Sequence, residues 1–135
     1  MKPTTLATVI LVYAITGMGN FAYSQENLDE FMTETTPEER AQFQTDYMKE
    51  NLSLTGDQEK KVHDVNVKYA EKMQEVYEAP TPDEQKLKSM KRITGEKEAE
   101  LKLILKPDQY ATYEKNKAAM KEKVKARMQE KEKGN

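Results

Sequence analysis

A five-residue corner that occurs twice restricts this chain more than anything else in it. Leu54-Thr55-Gly56-Asp57-Gln58 ends one apolar-periodic run and opens the next, and Leu105-Lys106-Pro107-Asp108-Gln109 does the same fifty-one residues later. In the first copy Thr55 stands at a helix N-cap. There its hydroxyl accepts from the backbone N–H of Gln58, while the Gln58 amide reaches back to the N–H of Thr55. Those bonds satisfy donors that a helix start otherwise leaves open. In the second copy Lys106 replaces the threonine, and Pro107 supplies a φ already suited to the first helical position. The pair predicts an all-α protein folded about matched joints, with Leu54, Thr55, Gln58, Leu105, Pro107 and Gln109 in structural roles.

The stretches between these corners read as four amphipathic helices. Thr36-Pro37-Glu38-Glu39 is a helix start, and the helix after it should reach about Asn51, with Ala41, Gln44, Met48 and Leu52 on one stripe beside Phe43 and Tyr47. The second helix carries Gln58, Val62, Val65, Tyr69, Met73, Val76 and Tyr77 at spacings of three and four. It stops at Ala79-Pro80-Thr81-Pro82. Thr81-Pro82-Asp83-Glu84 predicts another capping box with proline at the first position. The third helix then presents Leu87, Met90, Ile93 or Thr94, Leu101, Ile104 and Leu105. Gly95 inside it costs about 1 kcal/mol against alanine, which predicts a close contact or a bend. A fourth helix shows Tyr110, Tyr113, Met120, Val124 and Met128, with a lysine-rich opposite face. The domain should span 36–130, with 131–135 a frayed tail. Hydrophobic residues are 36% of the chain, charged residues 34%, and tryptophan is absent, so core material is scarce. Extended amphipathic helices, or a dimer that completes the core, fit that shortage.

Both ends carry further information. Met1-Lys2, the apolar run from Leu6 to Met18 and the small residues of Ala22-Tyr23-Ser24 predict an export signal over 1–24, cleaved between Ser24 and Gln25. Thirteen apolar residues fall short of the roughly 17 a membrane span needs, so no stable membrane anchor is expected. Residues 25–35 are acidic and polar and read as a flexible arm, with Phe31 and Met32 as its only docking residues. Residues 25–59 hold ten acids against two bases, whereas 60–135 hold nineteen bases against fourteen acids. The chain is thus a charge dipole, without the basic domain and stacking aromatics of a nucleic-acid binder.

The chemical inventory is thin. There is no cysteine and hence no disulfide, thiolate or lipid-bearing site. His63 is the single histidine; with Glu59 one turn away it is either a metal ligand lacking further donors or a solvated residue, and solvation is the simpler reading. No phosphate-binding glycine loop and no nucleophile elbow is present, so neither an enzyme nor a cofactor is expected. The methionines serve either as core filler or as an adaptable binding surface. The lysine-rich faces serve either solvation or attraction of acidic partners.

The two corners resemble the L-T-x-x-Q motif of the Spy/CpxP-type periplasmic stress proteins and its second, L-T-P-x-Q copy. The order of elements over residues 37–125 is similar as well, and Lys106 is the departure from the pattern. The resemblance implies an all-α fold of four amphipathic helices in a thin, extended antiparallel hairpin or cradle, completed by dimerisation into a homodimer in the periplasm. Its function would be that of an ATP-independent chaperone holding unfolded or misfolded envelope proteins, or of a regulatory module acting on an envelope-stress sensor. It carries the motif residues over as architecture only. From the residues themselves, the candidate client-binding set is Met48, Met73, Tyr77 and Met90 with the nearby Lys86, Lys88, Lys91 and Arg92.

Overall fold

The computed structural model describes residues 25–134, so the export-signal reading of 1–24 lies outside the described residues. Five helices follow one another: α1 (Gln25–Glu34), α2 (Pro37–Leu52), α3 (Gly56–Glu78), α4 (Asp83–Ile104) and α5 (Pro107–Lys133), with no strand among the described residues. The all-α reading is therefore correct, with one helix more than the periodicity indicated.

The local chemistry explains most boundaries. Thr36 caps α2 through its hydroxyl, which accepts from Glu39 N–H at 3.1 Å, while Glu39 Oε2 accepts from Thr36 N–H at 2.9 Å. Thr55 and Gln58 do the same for α3, at 3.2 and 3.1 Å. Pro37 and Pro107 hold the first positions of α2 and α5. Ser53 closes α2 in the left-handed region at φ 52°, which turns the chain sharply into the first corner.

Several expectations need correction. The stretch read as a flexible arm is mostly helix α1, docked through Met32, which is 4% exposed. Pro82 is the N-cap of α4 rather than its first residue, and no side chain caps that helix. The carbonyl of Pro82 accepts instead from Gln85 and Lys86 N–H, and Thr81 is occupied one residue too early, bonding Ala79 through its own N–H. Gly95 is exposed, a Cβ placed there would meet nothing within 4 Å, and α4 runs through it unbroken. At the C-terminus α5 continues to Lys133 instead of fraying; the Met128 side chain lies outside those described.

Helices α3 and α4 hold 23 and 22 residues. At 1.5 Å per residue they run about 35 Å out and about 33 Å back, so the second corner returns to the first. Side-chain pairs show the directions: Arg40–Gln74 and Lys49–Glu59 between α2 and α3, Lys86–Tyr77 and Lys68–Glu100 between α3 and α4. Helix α5 lies mainly on α2 and α4 mainly on α3, while α4 and α5 touch each other little. The core lies between them, with Met48, Val62, Ile93 and Leu101 almost fully enclosed. Leu101 to Leu105, the densest apolar run, is split: Leu101 and Leu105 are buried, but Leu103 is 88% exposed.

The two corners form one joint. Gln58 Nε2 donates to Gln109 Oε1 at 2.8 Å, and Gln109 Nε2 donates to Gln58 Oε1 at 3.1 Å. Gln58 Nε2 also donates to the Ile104 carbonyl at 3.2 Å, and Gln109 Nε2 to the Leu52 carbonyl at 3.1 Å, so each amide ties off the helix that ends at the other corner. Gln109 Oε1 also accepts from Lys106 N–H at 2.9 Å. Each amide thus uses two donors and two acceptor positions, its full capacity. A lysine ammonium cannot accept, so the second corner has only the return half of the capping box.

Candidate functional site: a methionine-lined groove

Because α4 and α5 meet near the joint and touch little beyond it, a groove opens between them at the far end of the molecule. On the α3 side it begins about 16–17 Å from the Gln58–Gln109 pair, eleven helical residues from Gln58 to Tyr69, and on the α5 side Tyr113, four residues after Gln109, also lines it. Its floor comes from α2 and α3, α1 closes one end, and it encloses a cavity of about 120 Å³. The walls are formed by Phe31, Met32, Tyr69, Ala70, Met73, Met90, Ile93, Met120 and Val124, with Arg40, Gln44, Lys97, Lys117 and Lys121 among them. Thioether side chains change shape at little cost, so four methionines make this an adaptable apolar surface.

Its charges are unusual. Arg40 is only 2% exposed, and its guanidinium donates to the Thr35 carbonyl at 2.7 Å, Thr35 Oγ1 at 3.1 Å and Gln74 Oε1 at 2.6 Å, and faces the Phe31 ring. Burial lowers its pKa to about 10, so it stays charged at neutral pH. Lys97 Nζ donates to Gln44 Oε1 at 2.6 Å, and burial lowers that ammonium to about 8. Burial lowers Lys121 to about 8 as well. Lys117 differs: Glu98 at 2.8 Å and Glu114 at 3.1 Å hold it, stapling α5 to α4, and these partners outweigh the effect of burial and raise its pKa. Tyr69 is fixed by its hydroxyl, which donates to Glu100 Oε1 at 2.6 Å; burial and that bond push it up to about 12.

The candidate client residues divide. Met73 and Met90 line the groove. Tyr77 borders the Met32–Met90 cluster, donates to Asp29 Oδ1 at 2.7 Å and so helps hold α1. Lys86 sits over the Tyr77 ring and donates to its carbonyl at 2.8 Å. Met48 is 1% exposed, enclosed in the core with its sulfur against the Asn66 amide, and offers no surface to a client. Lys88 pairs with Glu84, Arg92 pairs with Glu96, and Lys91 is exposed; none of the three lines the groove. The sequence reading passed over Arg40, Lys97 and Lys121, and placed Met120 on an apolar face without assigning it to a site. Lys97 lies seven residues after Met90 and Gln44 four after Arg40, and that same-face spacing is the signal that identifies them.

Away from the groove, His63 is half-buried rather than fully solvated, with Nε2 3.1 Å from Glu38 Oε1 and Nδ1 3.4 Å from Thr45 Oγ1. Glu59 is engaged elsewhere, accepting from Lys49 at 3.1 Å. No group of three metal-ligating side chains occurs among the described residues, and none of their helices is long and apolar enough to cross a membrane.

No curated protein and no solved structure matches the chain significantly. A family model does match, over residues 24–113, described as "Domain of unknown function (DUF4890)". That span covers the α1 docking residues, the joint and three of the groove's walls, so the chain belongs to the DUF4890 family.

Proposed function

We propose that this protein is an ATP-independent chaperone that holds unfolded or misfolded envelope proteins in the periplasm. The observation that carries the reading is the groove: four methionines with aromatic and aliphatic neighbours, flanked by cations and open along the seam between α4 and α5. Such a surface suits exposed apolar segments of varied sequence, and its positive charge favours those with nearby acids. A holding function needs no nucleotide site and no catalytic group. The corner motif, with its L-T-x-x-Q resemblance, and the export-signal pattern support the periplasmic setting. A homodimer that extends the groove into a cradle belongs to the same proposal.

The test is light scattering. A chemically denatured client is diluted into buffer with the exported, purified protein and no ATP. The expected result is suppression near one dimer per client, weakened in Met73→Ser and Met90→Ser variants that keep their helical circular dichroism. No suppression of several unrelated clients by the folded protein refutes the proposal and directs attention to a regulatory module with one dedicated partner.

A further inference from the structure

Buried charges in proteins are ordinarily paired, because moving an ion out of water costs several kcal/mol unless a counter-charge or a full set of hydrogen bonds replaces the solvent. Arg40, 2% exposed, and the partly buried Lys97 line one cavity; Glu78 acts on Arg40 and Glu98 on Lys97 through space, yet among the described residues no carboxylate lies within ion-pairing distance of either. Their direct partners are a carbonyl, a hydroxyl, two amide oxygens and an aromatic ring. The three bonds of Arg40 engage at most three of the five donors a guanidinium carries. Lys117 on the same wall shows the contrast, since Glu98 and Glu114 both hold it.

The space beside the two cations is apolar and small. At about 120 Å³ it is slightly below the roughly 150 Å³ of a dry apolar cavity that takes up benzene. It fits one ring or a short branched alkyl group, and it has no room for a nucleotide or a second charged group. We infer that the groove binds a small monocarboxylate, its carboxylate held by Arg40 and Lys97 and its compact apolar body seated against Met73, Met90 and Tyr69. Charge selects the head group, because a carboxylate supplies the direct ion pair that neither cation has among the described residues, and Arg40 offers it planar, charge-assisted hydrogen bonds. The walls select the body, because an ion with no apolar part leaves the cavity unfilled. The inference shares the groove with the chaperone reading but does not depend on it.

Isothermal titration of the full exported protein with benzoate and with benzyl alcohol tests this. The two probes share a body and differ in the head group. The expected result is saturable one-to-one binding of the acid, at least tenfold tighter than the alcohol. Lys97→Met should reduce that preference to less than threefold, Lys97→Arg should keep it, and Lys88→Met, outside the groove, should leave it unchanged. Equal affinity for acid and alcohol, no binding by the folded protein, or a preference untouched in Lys97→Met overturns the inference. The aggregation assay separates the two ideas: acid binding without suppression retains this site and removes the chaperone, and suppression without acid binding does the reverse.

Discussion

Replacing Gln58 and Gln109, singly and together, tests whether the two corners are one joint. Gln58 takes part in four hydrogen bonds: its oxygen accepts from Thr55 and Gln109, and its amide donates to Ile104 and Gln109. Gln109 likewise takes part in four, with Lys106, Leu52 and the two to Gln58. A partly buried neutral hydrogen bond is worth about 0.5–1 kcal/mol net, so each alanine variant should cost about 2–4 kcal/mol. The two Gln–Gln bonds are common to both sets. The double variant therefore loses six distinct bonds rather than eight, and should be less destabilised than the sum of the singles by about 1–2 kcal/mol. Urea unfolding followed by circular dichroism gives all four stabilities, and a fixed concentration of sucrose keeps the double variant folded at zero urea. Residues without shared partners add to within about 0.5 kcal/mol. Additivity within that margin would refute the joint and reduce the corners to independent helix caps.

Two further outcomes follow from named residues. Lys106→Thr should complete the second capping box by giving the Gln109 N–H a hydroxyl acceptor, raising stability by about 0.5–1 kcal/mol, and Thr55→Lys should cost a similar amount; urea midpoints check both. The groove lysines set a pH profile. Lys97 and Lys121 titrate near 8 in the folded protein against an ordinary value of 10.5, so between these values the unfolded chain holds more protons and stability rises with pH. From pH 7.5 to 9.5 the rise should be about 1–2 kcal/mol for each lysine. Tyr69, Tyr77 and Tyr110, pushed up to about 12 chiefly by burial, oppose it only above pH 10, where the unfolded tyrosines ionise. Lys97→Met should remove its share of the rise, and an unchanged profile would contradict the placement of Lys97.

Helix starts were legible wherever a hydroxyl or proline carried the chemistry, as at Thr36, Thr55 and Pro107. Pro82 misled because one residue separates a first helical position from a cap, and the sequence gives no sign of which carbonyl opens the helix. Helix α1 was hidden by composition: an acidic, polar stretch argues for disorder, and only the docking of Phe31 and Met32 outweighs that. The joint was half visible. Two copies of the corner stand in the chain, but their meeting depends on α3 and α4 being nearly equal in length. For the groove, periodicity found the faces of Met73 and Met90 but not what covers a face, so Met48 looked as available as they do. Lys88, Lys91 and Arg92 are near Met90 in sequence but turned to other sides of α4, whereas Lys97, two turns on, shares its side. Arg40 was passed over because a charged residue is rarely placed inside, and the reason it lies there is a property of the groove rather than of α2.

The two ends of the bundle treat polar groups in opposite ways. At the joint every donor and acceptor of two amides is matched, which fixes four helices at one end and leaves nothing there for a ligand. In the groove, two cations sit among methionines with neutral hydrogen-bond acceptors, Glu78 and Glu98 acting on them only from beyond ion-pairing distance, an arrangement that costs stability in the isolated protein. A bundle shaped for stability alone would place leucine or methionine at position 97, where the side chain faces apolar walls, and would lose nothing that holds the helices together beyond one bond to Gln44. On the monocarboxylate inference, an occupant that neutralises these cations should stabilise the folded chain by more than its contact area accounts for. The joint then has a second role: by holding α4 and α5 together at one end, it lets the groove open and fill at the other without disturbing the core between Val62 and Leu101.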